Sequence, residues 1–485
     1  MSRAERSVAM TSQLHAEACA HLQRADGQED LCFALWNPSR GQERTTALIE
    51  RLILPHEDER ILHGNVSFTP RYLERALAEA AASGRGLALM HSHPLGEGWQ
   101  DMSAADIAAE RSNAGAVLGA TRFPLVGLTL SQDGHWSARF WERTAPRIYA
   151  RKWCATVRVV GDQLKMTYMD ELAPAPKITD AQMRTVSAWG EESQNNLVRL
   201  RVGVIGAGSV GGFIAESLAR TGFEDLTGID YDIVEIHNLD RLLYATHHDI
   251  GKVKVTLLAE HLASRGTAQP FRFEAMNAAV YEEAGFRAAL DCDVLLCCVD
   301  RPWGRHVLNF IATAHLIPVV DAGIHVRRNR LGQLAAADWR AHTATFGRAC
   351  LQCVGQYDPG LVQLERDGYL DDPTYIEQLP KGHELRAREN VFAFSMACAA
   401  QQNLQMLALV LAPLGQPNPG TQRYHFVGNF MATPAFKVCA PDCFFQSIVA
   451  QGDSCGVTVT GTRPPPRAAS RTFPSSCQIP GSELI

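Results

Sequence analysis

Three glycines stand where the sequence is best suited to hold a phosphate: Gly206, Gly208 and Gly211. They follow a short apolar run, 202–205, and precede residues 213–219, whose apolar side chains recur at helical spacing. Glycine lets the backbone turn tightly and approach a phosphate closely, and the free N–H groups and dipole of a helix start favour an anion. A second strand, 225–229, ends in Asp230, where a carboxylate would meet a nucleotide ribose. The stretch predicts a nucleotide-binding strand–helix–strand unit.

Polar residues after this unit narrow the choice of nucleotide. The set is Asp230, Asp232, Asn238, Arg241, Lys254 and Asp300. The glycine pattern alone is a weak signal that also fits NAD or FAD, and Arg241 or Lys254 taken singly fits an ordinary surface charge. An enzyme that binds a dinucleotide has no evident need for an Asn, an Arg and a Lys in this order, whereas an enzyme that grips ATP has. The set favours ATP.

The same residues resemble the ubiquitin-activating enzymes and their bacterial relatives, the ThiF, MoeB and HesA group, which adenylate sulfur-carrier proteins. The shared pattern is a glycine loop, an Asp-x-Asp, an Asn-Leu-x-Arg, a later Lys and an Asp that closes the fourth strand. Negative charge accumulates when a carboxylate attacks the α-phosphate, and Arg, Lys and Mg²⁺ stabilise that charge. The resemblance implies ATP at Gly206, Gly208, Gly211 and the Asp230/Asp232 pair with Asp230 on the ribose, phosphate contacts from Asn238, Arg241 and Lys254, and Mg²⁺ on Asp300.

Two histidines earlier in the chain have the spacing of metal ligands. His91 and His93 follow the apolar strand 87–90. At positions i and i+2 on a strand they point to one face, so both can reach a single ion. A third ligand is available from Asp106, because Ser103 opens a helix that carries it. The plain alternative is a capping box, in which Ser103 and Asp106 only satisfy the first helical turn.

The order Glu, His-x-His-Pro and Ser-x-x-Asp resembles the JAMM (MPN-type) zinc isopeptidases. By that resemblance, a catalytic Zn²⁺ is bound by His91, His93 and Asp106, with one position left for water. Ser103 then supports the oxyanion, and Glu29 is the general base that takes the proton from the water.

This resemblance has two departures, and each leaves an alternative residue. The segment 95–102 is slightly longer than in that family, so Asp101 is a rival ligand. Glu29 is slightly displaced from the expected strand position, so Glu43 and Glu50 are substitutes for the base.

Two pairs of cysteines, Cys350 with Cys353 and Cys439 with Cys443, have metal-knuckle spacing. Four thiolates close a tetrahedron around zinc and leave no position for water, so this zinc would be structural. The ThiF-like resemblance implies the same placement. The competing interpretation makes one of them, or Cys398, a catalytic thiol that forms a thioester, and that question stays open.

The composition is that of a globular protein, with 46% hydrophobic and 20% charged residues among 485. The net charge of -6 argues against a nucleic-acid partner, because phosphates repel an acidic protein. Neither a signal-peptide pattern nor a membrane-spanning run is evident, so we expect a cytoplasmic protein whose thirteen cysteines are thiols or metal ligands.

We predict an α/β chain made of a JAMM-type α/β metallopeptidase domain and a Rossmann-like, mostly parallel adenylating domain. The predicted boundaries are 1–155 for the peptidase, 156–180 for a linker, 181–451 for the adenylating domain and 452–485 for a Pro/Ser-rich tail. The first domain should begin with a helix to residue 25. Residues 181–200 should form one helix, on which Arg184 would reach ATP across a homodimer interface, as the resemblance implies.

The predicted function is ATP-dependent adenylation of the C-terminal glycine of a ubiquitin-like protein, joined to zinc-dependent processing or deconjugation of that protein. A bacterial ubiquitin-like conjugation system, with or without a conjugating enzyme, is the preferred setting. Sulfur-carrier activation for cofactor or cysteine synthesis is the first alternative. An NAD- or FAD-dependent oxidoreductase with a metal-binding domain is the second.

Overall fold

Two large sheets organise the chain, one in each half. A computed structural model describes residues 5–63, 65–378, 389–416, 419–434 and 438–462. Residues 463–485, which are most of the predicted tail, lie outside the described residues. The α/β fold class is confirmed, with a Rossmann-like second half and a sheet-rich α/β first half.

The first half forms a nine-stranded mixed sheet and a separate hairpin, with helices on both faces of the sheet. Its strands are β1 (Glu5–Thr11), β2 (Leu31–Arg40), β3 (Arg44–Ile53), the hairpin β4 (Arg60–His63) and β5 (Asn65–Phe68), β6 (Gly86–His93), β7 (Leu125–Ser131), β8 (Trp136–Ala145), β9 (Ile148–Trp153), β10 (Thr156–Val160) and β11 (Leu164–Tyr168). Its helices are α1 (Ser12–Leu22), α2 (Pro70–Ser83) and α3 (Ala104–Thr121). The strand order is β11-β10-β1-β3-β2-β6-β7-β8-β9.

Two boundaries predicted for this half were wrong. The predicted linker 156–180 instead begins with β10 and β11, because the alternating apolar residues of β10 pair in parallel with β1. The predicted first helix is preceded by a strand, β1, whose central residues are fully buried. The nine-stranded sheet therefore extends to Tyr168.

The second half forms an eight-stranded sheet flanked by helices. Its strands are β12 (Arg201–Ile205), β13 (Asp225–Ile229), β14 (Arg272–Met276), β15 (Val294–Cys297), β16 (Val319–Arg328), β17 (Leu334–Ala344), β18 (Gln422–His425) and β19 (Phe430–Ala432). Its helices are α4 (Met183–Trp189), α5 (Glu191–Val198), α6 (Ser209–Thr221), α7 (Lys254–Leu262), α8 (Glu283–Leu290), α9 (Pro302–Ala314), α10 (Pro359–Arg366), α11 (Pro373–Gln378) and α12 (Phe392–Leu411).

The order of these strands is β14-β13-β12-β15-β16-β17-β18-β19, and the first five are parallel. The buried apolar runs of β12 and β15 suit central strands that are covered on both faces. The chain leaves β12 in one direction for β13 and returns on its other side as β15. This reversal creates a crevice at the carboxyl ends of the strands, where α/β sheets bind ligands.

Two further predictions fail in this half. The single helix expected over 181–200 is broken at Gly190, whose φ of 88° is unsuited to a helix interior. The start of the predicted tail is packed: Val459 is 3% exposed, and the Gly461 N–H donates to the Tyr281 carbonyl at 2.7 Å.

The two domains share a buried ionic contact. Arg44 and Arg158 of the first domain both donate to Asp293, at 2.6 and 2.9 Å, and all three side chains are at most 2% exposed. Asp293 immediately precedes β15, so the contact lies at the amino ends of the parallel strands. The carboxyl ends, with their crevice, are at the opposite edge of the sheet.

Candidate functional site

The glycine loop joins β12 to α6 at the carboxyl edge of the second sheet. Gly206 has a φ of 102°, and a Cβ there would lie 2.8 Å from the Cys298 carbonyl oxygen. A Cβ on Gly211 would lie 1.9 Å from the Gly206 carbonyl oxygen. Gly208 precedes α6, and a Cβ there would meet no atom within 4 Å. Two glycines are therefore required by the fold, whereas the third borders open space at a helix N-terminus, which suits a phosphate.

Asp230 links the loop to the end of β13. Its carboxylate accepts hydrogen bonds from the backbone N–H groups of Ala207 and Asp232, at 2.5 and 2.6 Å. Burial raises the pKa of Asp230 to about 6, and the nearby Asp232 carboxylate adds to the effect. A buried carboxylate already ordered against the glycine loop is placed to bind a polar group of a nucleotide.

Lys254 is the cation at the centre of this edge. Its side chain is buried, and Nζ donates to Asp232 at 2.9 Å. Burial lowers the pKa of Lys254, but the Asp232 and Asp230 carboxylates outweigh burial and raise it. Asp300, which is exposed after β15, also contributes to the pKa of Lys254. The Lys254 ammonium therefore pairs directly with a carboxylate at the end of β13, and Asp300 at the end of β15 is near enough to act on its charge.

Asn238 and Arg241 lie in the loop after β13. Asn238 is buried, and its side-chain oxygen accepts a hydrogen bond from the Glu235 N–H at 3.0 Å. Arg241 donates to the His237 carbonyl at 2.5 Å and to Asp240 at 2.9 Å. The buried Asn238 holds the loop in shape, and the contacts of Arg241 are local to that loop.

His91, His93 and Asp106 meet at the end of β6 in the first domain. Their ligand atoms all lie within 4.8 Å of one another. The Nε2 atoms of His91 and His93 are 3.7 and 3.5 Å from the Asp106 carboxylate oxygens. Asp101 is exposed and lies outside this cluster. Two imidazoles and one carboxylate form a donor set that zinc accepts, with one position left open.

The pKa shifts in this cluster follow burial and pairing. Burial, with the nearby Arg139, lowers the pKa of His91 to about 3, so its imidazole is neutral. The hydrogen bond to Asp106 raises the pKa of His93. Burial opposes ionisation of Asp106, but His93, His91 and Ser103 together hold its pKa well below the ordinary value of 3.8. A neutral imidazole and an ionised carboxylate are the forms that bind a metal.

Ser103 and Asp106 form the capping box that was the plain alternative. The Asp106 N–H donates to Ser103 Oγ at 3.1 Å, and the Ser103 N–H donates to an Asp106 oxygen at 2.8 Å. The box does not exclude a metal, because the same carboxylate faces both histidines. It fixes the orientation of Asp106 at the start of α3.

Glu29 precedes β2, which agrees with its displacement from the strand position of the JAMM-type pattern. Leu31 pairs with His91, and the Ser92 N–H donates to the Asp30 carbonyl at 3.1 Å, so Glu29 lies across from His93. Burial raises the pKa of Glu29, while His93 opposes the rise and Asp106 adds to it. These interactions place the Glu29 carboxylate beside the cluster.

The two substitutes for Glu29 lie elsewhere. The N–H of Glu43 donates to Asp291 of the second domain at 3.0 Å, at the domain interface. Glu50 accepts hydrogen bonds from Asn37 and Arg85 on a different part of the sheet. Of the three carboxylates, Glu29 is the one beside His93.

Four cysteines come together beneath α9. Their sulfur atoms lie within 4.8 Å of one another, and they are Cys350, Cys353, Cys439 and Cys443. The Cys350 N–H also donates to Cys439 Sγ at 3.1 Å. Cys398 is fully buried in α12 against Ala322 and Trp339, away from this set. The arrangement suits a closed tetrahedral metal site.

Residues 179–443, more than half of the chain, match the family model described as the ThiF family. The chain belongs to the ThiF family. The match includes the glycine loop, the carboxylates around Lys254 and the four clustered cysteines. It begins at residue 179, so the first domain lies outside it.

Curated relatives of this ThiF chain include activating enzymes of ubiquitin-like modifiers. The SAMP-activating enzyme E1 of Haloferax volcanii is 30% identical over 28% of this chain and 50% of the relative. The tRNA threonylcarbamoyladenosine dehydratase of Escherichia coli is 30% identical over 29% and 52%. The ubiquitin-like modifier-activating enzyme 5 of Xenopus laevis is 30% identical over 24% and 32%. The chain spans about half the length or less of these relatives.

Among solved structures, the crystal structure of E. coli MccB with ATP aligns with 55% of this chain and 74% of that chain. The sequence identity is 15% and the TM-score is 0.42.

Several residues that contact the two sites were not predicted from the sequence. Asn390 donates from its side chain to Ser209 in the first turn of α6, at 3.1 Å. The Tyr244 hydroxyl donates to the carbonyl of Ala207 in the glycine loop. Thr129 contacts His91, and its oxygen lies 3.3 Å from Nε2. None of these belongs to a motif, because each reaches its site from a distant part of the chain.

Arg184 is exposed on α4, and its role in a dimer stays a prediction. Within the described residues, no helix is both long and apolar enough to cross a bilayer.

Proposed function

We propose that the second domain uses ATP to adenylate the C-terminal glycine carboxylate of a ubiquitin-like protein, and that the first domain is a zinc peptidase acting on the same protein. ThiF-family membership, together with the carboxylates gathered around Lys254 beside an open glycine loop, carries the first part. The cluster of His91, His93 and Asp106 beside Glu29 carries the second.

ATP fits the second site because the loop combines open space at Gly208 with the N–H groups at the start of α6. The substrate carboxylate attacks the α-phosphorus, the bond to the bridging oxygen breaks, and pyrophosphate leaves. Lys254 and Arg241 stabilise the charge that accumulates on the phosphate oxygens. Asp230 orients the ribose and Asn238 holds the phosphate-binding loop. Asp300 would hold Mg²⁺, which neutralises phosphate charge when it is bound.

In the first domain, His91, His93 and Asp106 would hold Zn²⁺, which when bound polarises the scissile carbonyl and acidifies a water. Glu29 accepts the proton of the attacking water and returns it to the leaving amine. The Ser103 hydroxyl accepts the Asp106 N–H, and its O–H, which interacts with the Asp106 carboxylate in the free protein, would donate to the oxyanion once substrate is bound. The bond broken is a peptide or isopeptide bond.

Calorimetry of Mg·ATP binding to the full chain tests the adenylation site. We expect Asp300→Ala to weaken Mg·ATP binding about tenfold or more and to leave ATP binding without Mg²⁺ little changed. Unchanged Mg·ATP binding would remove Asp300 from the proposed Mg²⁺ site. Tight NAD(H) or FAD binding without any ATP binding would instead support the oxidoreductase alternative.

Once a partner is in hand, ATP–pyrophosphate exchange tests the reaction itself. We expect exchange to require a partner with a free C-terminal glycine and to be lost in Lys254→Ala. Exchange with a sulfur carrier alone would favour cofactor or cysteine synthesis over conjugation. A thioester on Cys398 or on one of the clustered cysteines would be detected as a covalent adduct that hydroxylamine cleaves.

The name of one relative, a tRNA threonylcarbamoyladenosine dehydratase, makes RNA the other candidate acceptor. The net charge of -6 opposes binding to a phosphate backbone. The cluster of His91, His93 and Asp106 in the same chain also suits a peptide substrate better than RNA. We therefore propose a protein partner rather than a nucleic acid, acting with or without a conjugating enzyme. A homodimer is expected from the resemblance and is checked by light scattering.

A further inference from the structure

Behind the cluster of His91, His93 and Asp106 lies a buried ion pair that the proposed chemistry does not use. Arg139 on β8 donates to Glu110 on α3 from two nitrogens, one of them Nε at 3.0 Å. The Trp141 ring nitrogen also donates to Glu110, at 2.6 Å. The arginine is fully buried and the glutamate is 1% exposed. A buried ion pair contributes little net stability, because desolvation offsets the attraction.

This pair connects the two elements that supply the metal ligands. Glu110 is four residues after Asp106, so both lie on one face of α3. Arg139 reaches in the other direction to Thr129 on β7, donating to its Oγ1 at 2.5 Å. That oxygen lies 3.3 Å from His91 Nε2, the nitrogen that faces Asp106. A continuous set of contacts therefore runs from the helix that carries Asp106 to the ring of His91.

Gly127 leaves space for the Glu110 and Arg139 side chains, because it has no side chain of its own. A Cβ on Gly127, in β7, would lie 2.4 Å from a Glu110 oxygen and 2.5 Å from Arg139 Nε. Thr129 is also fully buried, so water cannot replace a hydrogen bond that its hydroxyl loses. The charged groups thus occupy a defined space between α3 and the sheet.

We propose that Glu110, Arg139 and Thr129 are positioning residues that set the distance between Asp106 and His91 and so the affinity of the site for zinc. The proposal rests on the metal site of the proposed function. Thr129 contacts the His91 ring at Nε2, on the side of the metal, and not at the far ring nitrogen, so it acts by holding the ring in place. Removing groups that support metal ligands from outside typically changes metal affinity by about 10- to 100-fold.

The central variant is Thr129→Val, which keeps the volume and removes the hydroxyl between Arg139 and His91. The control is Ser137→Ala: Ser137 pairs with Thr129 across the sheet, and its buried hydroxyl has no hydrogen-bond partner among the described residues. Zinc affinity is measured on the full chain by competition with a chromophoric chelator. The first-domain site is identified as the zinc that His91→Ala/His93→Ala removes.

We expect Thr129→Val to weaken zinc binding about tenfold or more, Thr129→Ser to restore it, and Ser137→Ala to leave it unchanged. The visible spectrum of the Co²⁺-substituted chain should change in Thr129→Val, as a purely structural role would not require. A zinc affinity within about threefold of wild type in Thr129→Val, or an equal loss in Ser137→Ala, would overturn the positioning role and leave the peptidase proposal standing. If the double histidine variant removes no zinc, both proposals fail.

Glu110→Gln gives a second route to the same answer. It keeps the shape of the side chain and weakens its hold on Arg139. We expect Glu110→Gln to bind zinc more weakly than wild type, as Thr129→Val does. The loss of binding free energy in the double variant should be smaller than the sum of the two single losses, because both residues act through one set of contacts. Additive losses in the double variant would overturn the shared role.

Discussion

Single residues divide into those that the fold requires and those that the nucleotide requires, and the glycine loop contains both kinds. Gly211 has no room for a side chain, since a Cβ would lie 1.9 Å from backbone oxygen, whereas Gly208 borders open space and has a φ of -71° that alanine tolerates. Three glycines that look equivalent in the sequence therefore have different roles.

We expect Gly208→Ala to leave the free energy of unfolding within about 0.5 kcal/mol of wild type and to weaken ATP binding about tenfold or more. Gly211→Ala should cost about 1–3 kcal/mol or more, because backbone has to move. Urea unfolding and calorimetry on the same samples measure the two effects. Gly119→Ala, in a helix where a Cβ also meets open space, is the control for both. If Gly208→Ala bound ATP normally, the phosphates would lie elsewhere.

The site residues that could be predicted from the sequence are those that lie close together in the chain at a recognisable spacing. His91 and His93 end a buried strand, and the cysteine pairs have fixed spacing, so each group was proposed from the sequence and the structure brings each together. Thr129 and Arg139 could not be found in this way, because neither lies in a motif. A partial signal existed in Glu110, a carboxylate on the same helical face as Asp106.

Among the helices and strands, prediction failed where an element depends on a strand from a distant part of the chain. The segment 156–168 reads as a connector on its own and becomes two strands because β1 offers an edge to pair with. Residues 181–200 have the composition of one helix, but Gly190 divides them. The glycine loop and the βαβ unit were predicted correctly, since their signals are contained within one stretch of chain.

A contact between α10 and α9 makes the free energy of unfolding depend on pH. Glu365 on α10 is 1% exposed and accepts a hydrogen bond from the N–H of Trp303, in the first turn of α9, at 2.8 Å. Burial raises its pKa from 4.5 to about 7, although the Trp303 N–H and Arg301 oppose the rise. The folded protein therefore retains a proton that the unfolded chain releases. This stabilising contribution is fully present below the unfolded pKa of 4.5 and is lost as the pH rises through about 7.

We expect the wild type to lose about 3 kcal/mol of stability from this group over that range, and Glu365→Gln to lose little. Urea unfolding at a series of pH values measures the difference. The control is Glu171→Gln, an exposed carboxylate outside these helices, which should retain the pH dependence of the wild type. Identical pH profiles for wild type and Glu365→Gln would refute the assignment.

At the scale of the whole molecule, the buried contact of Arg44 and Arg158 with Asp293 joins the domains. Neutralising Asp293 removes the counter-charge that two buried guanidinium groups share. We expect Asp293→Asn to cost about 3–5 kcal/mol and to split one unfolding transition into two. Calorimetry is the measurement, with Asp170→Asn as control, since Asp170 is 80% exposed and pairs with Arg199 at the surface. A single unshifted transition in Asp293→Asn would show that the contact does not couple the domains.

The placement of this contact also bears on function. It lies at the amino ends of the second sheet, opposite the crevice with the glycine loop, and beside the end of β2 that is remote from Glu29. Each proposed site therefore faces away from the domain interface. Long-range organisation of this kind could not be predicted from the sequence, because it depends on which strand ends meet.

The proposed function requires a zinc site for hydrolysis in the first domain and a closed cysteine site in the ThiF domain of the same chain. Elemental analysis of zinc in the purified full chain tests this requirement in wild type, His91→Ala/His93→Ala and Cys350→Ser/Cys353→Ser. We predict about two zinc ions per chain in wild type and about one in each double variant, with the cysteine variant retaining the zinc of the first domain. One ion per chain that the histidine variant keeps and the cysteine variant loses would contradict this requirement and leave adenylation as the single proposed activity.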